Sequence, residues 1–526
     1  MDRVGRENLA NVFASLFGSA STNSRPLDVR DAPKVKDIEI ADPRLIPAKS
    51  LKEFISRSPH DRLSHSRGKS FIDVVRSFHG EFSDVPDLVA FPRTEPELMS
   101  IIDWCYSSNV AIVTYGGGSS VVGGVNCPSI ENYQAVLSLD TTCLDKVLEV
   151  DSVSRSALIQ AGVLGPALES QLKQFNLTMR HYPQSFEFST LGGWIATKSG
   201  GHYATNQTRI DDFTQSLRVV TPAGIVETSR FPSSGAGPDQ NGFFLGSEGI
   251  YGIITQAWMR LQDRPQFKDT VGVKFSNLGS AVDACRIISQ SGLYPTNCRL
   301  LDAVESFQSA GVTNGNSLLI VGFESAYCPV DNDMKAALEI CSDHGGIYER
   351  DSNKDDSKKA NDSLTESDSW KSTFTRAPYL RDAIISIGHV AETFETSVTW
   401  DKFSEFHSQI MQRVRGALDE TCGTGVVSCR FTHLYPDGPA PYYTVVAPSS
   451  HEDQIHHWSH IKDVVSSAII ELGGTITHHH AVGKDHVKWY HQEIPKMLLD
   501  SIERLKELYD PKSLLNPGVL LGSEGH

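Results

Sequence analysis

The sequence predicts an α+β protein of more than one domain. Three observations carry this. Short apolar runs of strand length intermingle with helical patterns instead of alternating with them regularly. Three small-residue loops interrupt those runs within about one domain length. The 526 residues exceed what a single core ordinarily serves. The loops are Tyr115-Gly116-Gly117-Gly118-Ser119-Ser120, the stretch Pro183-Gln184-Ser185-Phe186-Glu187-Phe188-Ser189-Thr190-Leu191-Gly192-Gly193-Trp194-Ile195-Ala196-Thr197, and Gly246-Ser247-Glu248-Gly249-Ile250-Tyr251-Gly252-Ile253-Ile254-Thr255. Small residues let backbone N–H groups approach an anion without a side chain in the way. Each loop alone reads as a tight turn; the ordered set suits a long diphosphate-bearing cofactor.

Along the chain, residues 1–83 read as an arm with helical pieces, broken at Pro43 and Pro47. Within it Leu9, Val12, Phe13, Leu16 and Phe17 recur at helical spacing, and docking on the body of the protein is expected ahead of membrane contact. A helix is predicted over Glu95–Ser107, with Leu98, Ile101, Ile102 and Trp104 as its apolar positions. Ala111–Tyr115 is a strand running into the first loop, and Ala135–Leu139 and Ala157–Ala161 are further strands. A helix from Gly165 to Phe175 has Pro166 in its first turn. Leu217–Val220 and Ile225–Glu227 flank Thr221-Pro222-Ala223-Gly224 as a hairpin. Beyond Arg260 the pattern Val271–Phe275, helix Leu278–Ser291, Leu318–Phe323, helix Asp331–His344 reads as a split β-α-β unit. The polar stretch near 351–369 reads as a flexible insert. Strands near Val426–Phe431 and Tyr442–Val446 and a final helix Ile494–Tyr509 complete the chain.

Composition excludes several classes. A net charge of −16 with no basic stripe argues against nucleic acid, and leaves room for a local basic pocket. Nine scattered cysteines with no Cys-x-x-Cys spacing predict thiols in a reducing compartment and no zinc site. No apolar run reaches the roughly 20 residues that span a bilayer. An intracellular location, cytoplasmic or peripheral to a membrane, is expected, since neither end carries a clear peroxisomal signal.

The ordered loops resemble the flavin-binding domain of the vanillyl-alcohol-oxidase type. Several further stretches resemble the alkyl-dihydroxyacetone-phosphate synthases within that group: Asp84-Val85-Pro86-Asp87 with Phe91-Pro92, Phe394-Glu395-Thr396-Ser397 with Trp400-Asp401, and His478-His479-His480 with Val482-Gly483-Lys484. The resemblance runs from about Asp61 to Gly518. It implies a two-subdomain FAD-binding domain with an α+β cap domain. The corresponding division is an arm at 1–83, an FAD-binding domain at 84–262, a cap or substrate domain at 263–470, and a segment at 471–526 returning to the active site. Cofactor contacts are expected from Tyr115, Gly116, Gly117, Gly118, Ser119, Ser120, His181, Pro183, Ser185, Ser189, Thr190, Gly193, Trp194, Thr197, Glu248, Gly249, Gly252, Ile253 and Ile254. Related oxidases tether FAD through a histidine in the first loop; Tyr115–Gly124 contains none, so FAD is expected to be non-covalent.

The resemblance further implies a redox-neutral exchange, in which the acyl group of acyl-dihydroxyacetone phosphate gives way to a long-chain alcohol. Such a site needs a general acid/base near neutral pH, cations for a phosphate, and an apolar channel. His478, His479 and His480 are the acid/base candidates. On an extended segment His478 and His480 face one way and His479 the other, so no shared metal is expected. Tyr442 falls on the tyrosine of the synthase motif, as a proton relay or a hold on the carbonyl. Arg299 and Arg381 match arginines expected near flavin and substrate; the plainer reading pairs them at the surface with Asp302 and Asp382. Lys484 is a further phosphate candidate. Ala481 stands where the synthase pattern has glycine, and Asp485-His486 where it has Leu-Arg. A homodimer is expected. The competing reading is an FAD-linked oxidase or dehydrogenase of a 2-hydroxy acid or alcohol; a flavin-holding sensor is a third.

Overall fold

The computed structural model describes residues 1–17, 29–128, 132–349 and 379–522. The stretch near 351–369 read as a flexible insert lies outside them. The chain divides into two compact units. One comprises Met1–Arg30, Gly201–Thr208 and Arg264–His478; the other comprises Asp31–Gly200, Arg209–Asp263 and His479–His526.

The second unit holds the glycine loops. Its four-stranded sheet runs Ile55–Ser56, Leu88–Ala90, Ala135–Asp140, Val110–Tyr115, with the last three parallel. Parallel strands are covered on both faces, which is why Ala135–Leu139 is apolar but for the buried Ser138. The helix Glu95–Ser107 matches its predicted bounds. Thr94 caps it by accepting the Glu97 N–H, Pro96 sits in its first turn, and Leu98, Ile101 and Ile102 bury against Leu88, Ile112 and Leu137. A five-stranded antiparallel sheet runs Val147–Asp151, Ser156–Gln160, Ile253–Arg260, Thr214–Thr221, Gly224–Glu227, the last two being the predicted hairpin. Leu191, Trp194 and Ile195 pack into the core beside this sheet with Phe213, Leu217 and Met259.

The first unit is built on a six-stranded sheet in the order Phe267–Phe275, Ser317–Ser325, Asn297–Leu301, Val426–Leu434, Pro439–Ala447, Val390–Glu395. Phe267–Phe275 and Asn297–Leu301 are each antiparallel to the strand between them, so they are parallel to one another. With the helix Leu278–Gln290 they form the split β-α-β unit. The sequence reading had omitted Asn297–Leu301, because Asn297 and Arg299 interrupt its apolar pattern. Helices Trp400–Cys422 and Gln454–Glu471 pack on one another. The N-terminal helix Arg3–Phe17 docks as expected: Leu9, Ala10 and Phe13 meet Val29 and Ile387, and Phe13 lies edge-on to His389. Among the described residues no helix is long and apolar enough to cross a membrane.

The C-terminal end differs from its reading. Pro495 separates a short helix, Val487–Glu493, from Lys496–Tyr509, where one helix from Ile494 was expected. The longer helix is pinned from inside: Lys506 Nζ donates to Asp510 Oδ2 at 2.6 Å, Ile250 O at 2.8 Å and Leu515 O at 2.7 Å. Replacing Lys506 with Met leaves Asp510 a buried, uncompensated charge, so a loss of about 3–5 kcal/mol is expected by denaturant unfolding. Adding Asp510→Leu should restore much of it.

Candidate functional site

The second unit brings the three loops into contact, with the N–H groups of Gly246 and Glu248 donating to Ile195 O at 3.2 Å and Ala196 O at 2.8 Å. The strand Val110–Tyr115 delivers Gly116 and Gly117 against the segment Phe188–Thr190. A Cβ on Gly116 would stand 2.3 Å from Thr190 Oγ1, and one on Gly117 only 1.5 Å from the Phe188 carbonyl oxygen. Both positions therefore exclude every residue except glycine. Thr190 caps the helix Leu191–Ala196 by accepting the Gly193 N–H. Ser189 Oγ donates to Ser185 O at 2.8 Å and accepts from Trp194 Nε1 at 2.7 Å and from Ser185 Oγ at 3.1 Å. Thr197 Oγ1 returns to Gly193 O, and Ser120 Oγ accepts the Gly124 N–H within its own loop. The Tyr115 hydroxyl donates to Ser64 O, and burial raises its pKa.

His181 is buried between Trp194 and Phe213, with Nε2 2.8 Å from Ser199 Oγ. Burial pushes its pKa down to about 3, so it is a neutral imidazole. Pro183 lies in the irregular stretch that follows.

Glu248 is the hub of the third loop. Its buried carboxylate accepts the N–H groups of Val482 and Gly483, both at 2.9 Å. Asn516 donates to the Glu248 carbonyl and accepts the Thr114 N–H at 2.8 Å. Gly249, at φ +75°, would carry a Cβ into Asn516, and Gly252 packs on Val219 ahead of the buried Ile253 and Ile254. Burial raises the Glu248 pKa to about 7 against the lowering effect of its two N–H donors.

The histidine run corrects one expectation. Residues 478–480 form a bend, not a strand, so side chains do not alternate and the argument from alternation against a shared metal loses its premise. The unit boundary falls between His478 and His479. In the second unit the His479 and His480 rings meet edge to face at 4.7 Å. Ala481 follows with φ +74°, a left-handed conformation that costs a residue with Cβ about 1–2 kcal/mol, which accounts for glycine in the synthase pattern. Lys484 Nζ donates to Asn126 O at 2.8 Å and Cys127 O at 3.3 Å, which ties the segment down.

The first unit assembles the other candidates on one sheet face. Arg430 stands opposite Tyr442, and Tyr442 opposite Glu395; directly opposed antiparallel residues share a face. Arg430 also neighbours this face of the Asn297–Leu301 strand through its pairing with Leu301, two residues from Arg299. The Arg430 guanidinium lies 4.0 Å above the Tyr442 ring and donates to Glu305 Oε1 at 2.9 Å. Burial raises the Tyr442 pKa, while Arg430 and Arg381 oppose the rise.

The surface-pairing reading fails for Arg299. It is 1% exposed and its Nη2 donates to His202 O at 2.5 Å. Asp302 instead caps the next helix and accepts the Cys429 N–H. Burial, with Arg430 adding to it, pushes Arg299 down to about 9. Arg381 is partly buried and does reach Asp382, at 3.5 Å. His478 is held by Glu395, which accepts its main-chain N–H at 2.7 Å, and its Nε2 lies 2.7 Å from the Tyr435 hydroxyl.

Arg430, Glu395, Tyr435 and His433 were missed as site residues. Glu395 lies inside a motif already singled out, and His433 reaches the Tyr442 face only through a β-bulge between Phe431 and His433.

Two family models match successive stretches of the chain. The FAD binding domain family matches residues 86–229, and the C-terminal domain family of FAD linked oxidases matches residues 264–520. An alkyldihydroxyacetonephosphate synthase from Dictyostelium discoideum is 29% identical, covering 94% of this chain and 84% of the relative. The glycolate oxidase subunit GlcD of Bacillus subtilis is 25% identical, covering 84% and 91%. A solved alkyldihydroxyacetonephosphate synthase superposes with a TM-score of 0.80 at 26% identity, covering 96% of this chain and 92% of that one.

Two outcomes follow. Acid precipitation of the yellow protein should leave FAD in the supernatant; colour kept in the pellet would show a covalent tether. Glu248 has a folded pKa above its unfolded value of about 4.3, so folding takes up a proton. Its contribution is complete below that unfolded value and is lost as pH rises through about 7. The melting-temperature advantage of wild type over Glu248→Gln should therefore shrink from pH 5 to pH 8.

Proposed function

We propose that this chain, which belongs to the vanillyl-alcohol-oxidase-type family of FAD-binding flavoproteins, is a redox-neutral ether-lipid synthase that exchanges the acyl group of acyl-dihydroxyacetone phosphate for a long-chain alcohol. The observation that carries the reading is the face formed by Arg299, Arg430 and Tyr442, with His478 held at its edge by Glu395. Buried guanidinium groups call for an anion, and a phosphate supplies one with geometry that matches their fixed donors. The named similarity to alkyldihydroxyacetonephosphate synthases supports the same reaction class.

FAD is the cofactor of the family, and the bare backbones of Gly116 and Gly117 with Ser119, Ser120 and the Ser185–Thr197 segment fit it. When bound, it would supply an electrophilic ring that accepts and releases carbon without net oxidation. The protein's part is positioning and proton transfer. Arg299 and Arg381 bind the phosphate. Tyr442 holds the carbonyl. His478, with His479 and His480 as the other candidates, takes a proton from the carbon beside that carbonyl and returns it. The bond between the dihydroxyacetone carbon and the ester oxygen breaks, and the fatty acid leaves as carboxylate with both its oxygens. The alcohol oxygen bonds to that carbon in its place, and the alcohol's proton is released to solvent. In this reading 84–262 with 471–526 serve the cofactor and 263–470 the substrate. The protein is intracellular, touches membranes peripherally at most, and forms a homodimer.

Oxidation of a 2-hydroxy acid on the same scaffold is the second reading, favoured by the similarity to a glycolate oxidase subunit. Anaerobic incubation with acyl-dihydroxyacetone phosphate and hexadecanol, followed by mass spectrometry, separates the two. Ether and free fatty acid in equal amounts with the flavin still yellow are expected. Bleaching by a hydroxy acid with no ether would overturn the proposal. Tyr442→Phe should lower ether formation by about 100-fold or more; a rate within threefold of wild type would remove Tyr442 from its role.

A further inference from the structure

Thr208, Tyr435 and His478 form a hydrogen-bonded line inside the first unit that none of the roles above explains. Tyr435 is fixed at its main chain by three bonds. Its N–H donates to Gly438 O at 2.9 Å, its carbonyl accepts the Gly438 N–H at 3.2 Å, and the same carbonyl accepts Trp400 Nε1 at 3.1 Å. With the turn so held, the ring projects its hydroxyl to within 2.7 Å of His478 Nε2 and 3.1 Å of Thr208 Oγ1. His478 is fixed from its own main chain by Glu395, whose second oxygen takes the Thr477 hydroxyl at 2.5 Å. The neighbouring His433 ring, 5.0 Å away, is occupied elsewhere, with Nε2 2.9 Å from Gly201 O. His478 and Thr208 are both buried.

We propose that Tyr435 is a positioning residue for His478, accepting the Nε2–H proton while passing its own hydroxyl hydrogen to Thr208 Oγ1. This rests on the functional reading that makes His478 a base. In that direction of donation the ring carries its lone pair on Nδ1, the tautomer in which Nδ1 is basic. When Nδ1 takes a proton from the substrate carbon, the electron pair stays on carbon and the ring becomes an imidazolium. Nε2–H keeps its bond to the phenol throughout, and the proton returns by the same nitrogen. A hydroxyl acceptor orients the ring without raising its basicity as far as a carboxylate would. Glu395 is kept from that role by its commitment to the Thr477 hydroxyl and the His478 main chain.

The test uses the FAD-loaded full-length enzyme in the ether-forming assay. Tyr435→Phe keeps the ring and every main-chain bond. It should lower kcat by about 10–100-fold with KM for the phosphate substrate within about twofold and the melting temperature little changed. Thr208→Val should lower kcat by about 3–10-fold, and the double variant should be no slower than Tyr435→Phe alone, because both changes disable one line. Multiplicative losses in the double variant, a rise in KM without loss of kcat, or an unaltered Tyr435→Phe enzyme would overturn the proposal. Should wild type form no ether yet be bleached by a hydroxy acid, the functional reading falls. The same variants are then compared by bleaching rate, which also requires a proton to leave, and an unaltered Tyr435→Phe rate overturns the proposal there. A wild type inert to both substrates overturns the two together.

Discussion

The buried carboxylate of Glu248 is the constraint on which the second unit's functional end depends. Loops made of glycine and serine have almost no side chains with which to pack, so something else must hold them. Glu248 does so by taking two main-chain N–H groups from Val482 and Gly483, while Asn516 bridges its carbonyl to the N–H of Thr114. Three distant parts of the sequence meet there: the strand that launches the first glycine loop, the third loop, and the segment that follows the histidines. A chain end brought back by main-chain hydrogen bonds keeps its register whatever its side chains do. Ala481 sits left-handed beside this clasp.

In the first unit the corresponding constraint is sheet register. Arg430, Tyr442 and Glu395 are brought together by pairing across three strands, and a one-residue slip would turn all of them to the other face. The bulge between Phe431 and His433 brings His433 back to the Tyr442 side, where unbroken alternation would have sent it away. Behind this face Glu305 balances Arg430 and is itself bound by the Ser428 hydroxyl. Removing Glu305 would take the counter-charge from a buried guanidinium, so the face is an electrostatic unit as well as a geometric one.

How much of this could be read from sequence follows from which signals are local. The helix Glu95–Ser107 was legible to the residue because its cap, its proline and its apolar spacing all lie within the element. The glycine loops were legible because only small residues fit where two main chains approach so closely. The strand Asn297–Leu301 was not, since its central Arg299 is buried and contradicts the apolar pattern of a buried strand. The histidine bend was read as extended because its turn is made with Ala481 in place of glycine, which removes the usual punctuation. Tyr435 and His433 were passed over because a bulge and a turn, both set by pairing with distant residues, aim them.

Arg299 also shows why arginine, and not lysine, suits this face. Its surroundings lower its pKa from 12.5 to about 9, yet at neutral pH it remains almost wholly charged. A lysine starts from an ordinary value of about 10.4, so the same burial would act on it from nearer neutrality. The guanidinium keeps its charge while buried, so under the proposed function an arriving phosphate would meet a cation already desolvated and already aimed. Its burial would then be costly without substrate and favourable with it, which is the difference the proposed site requires.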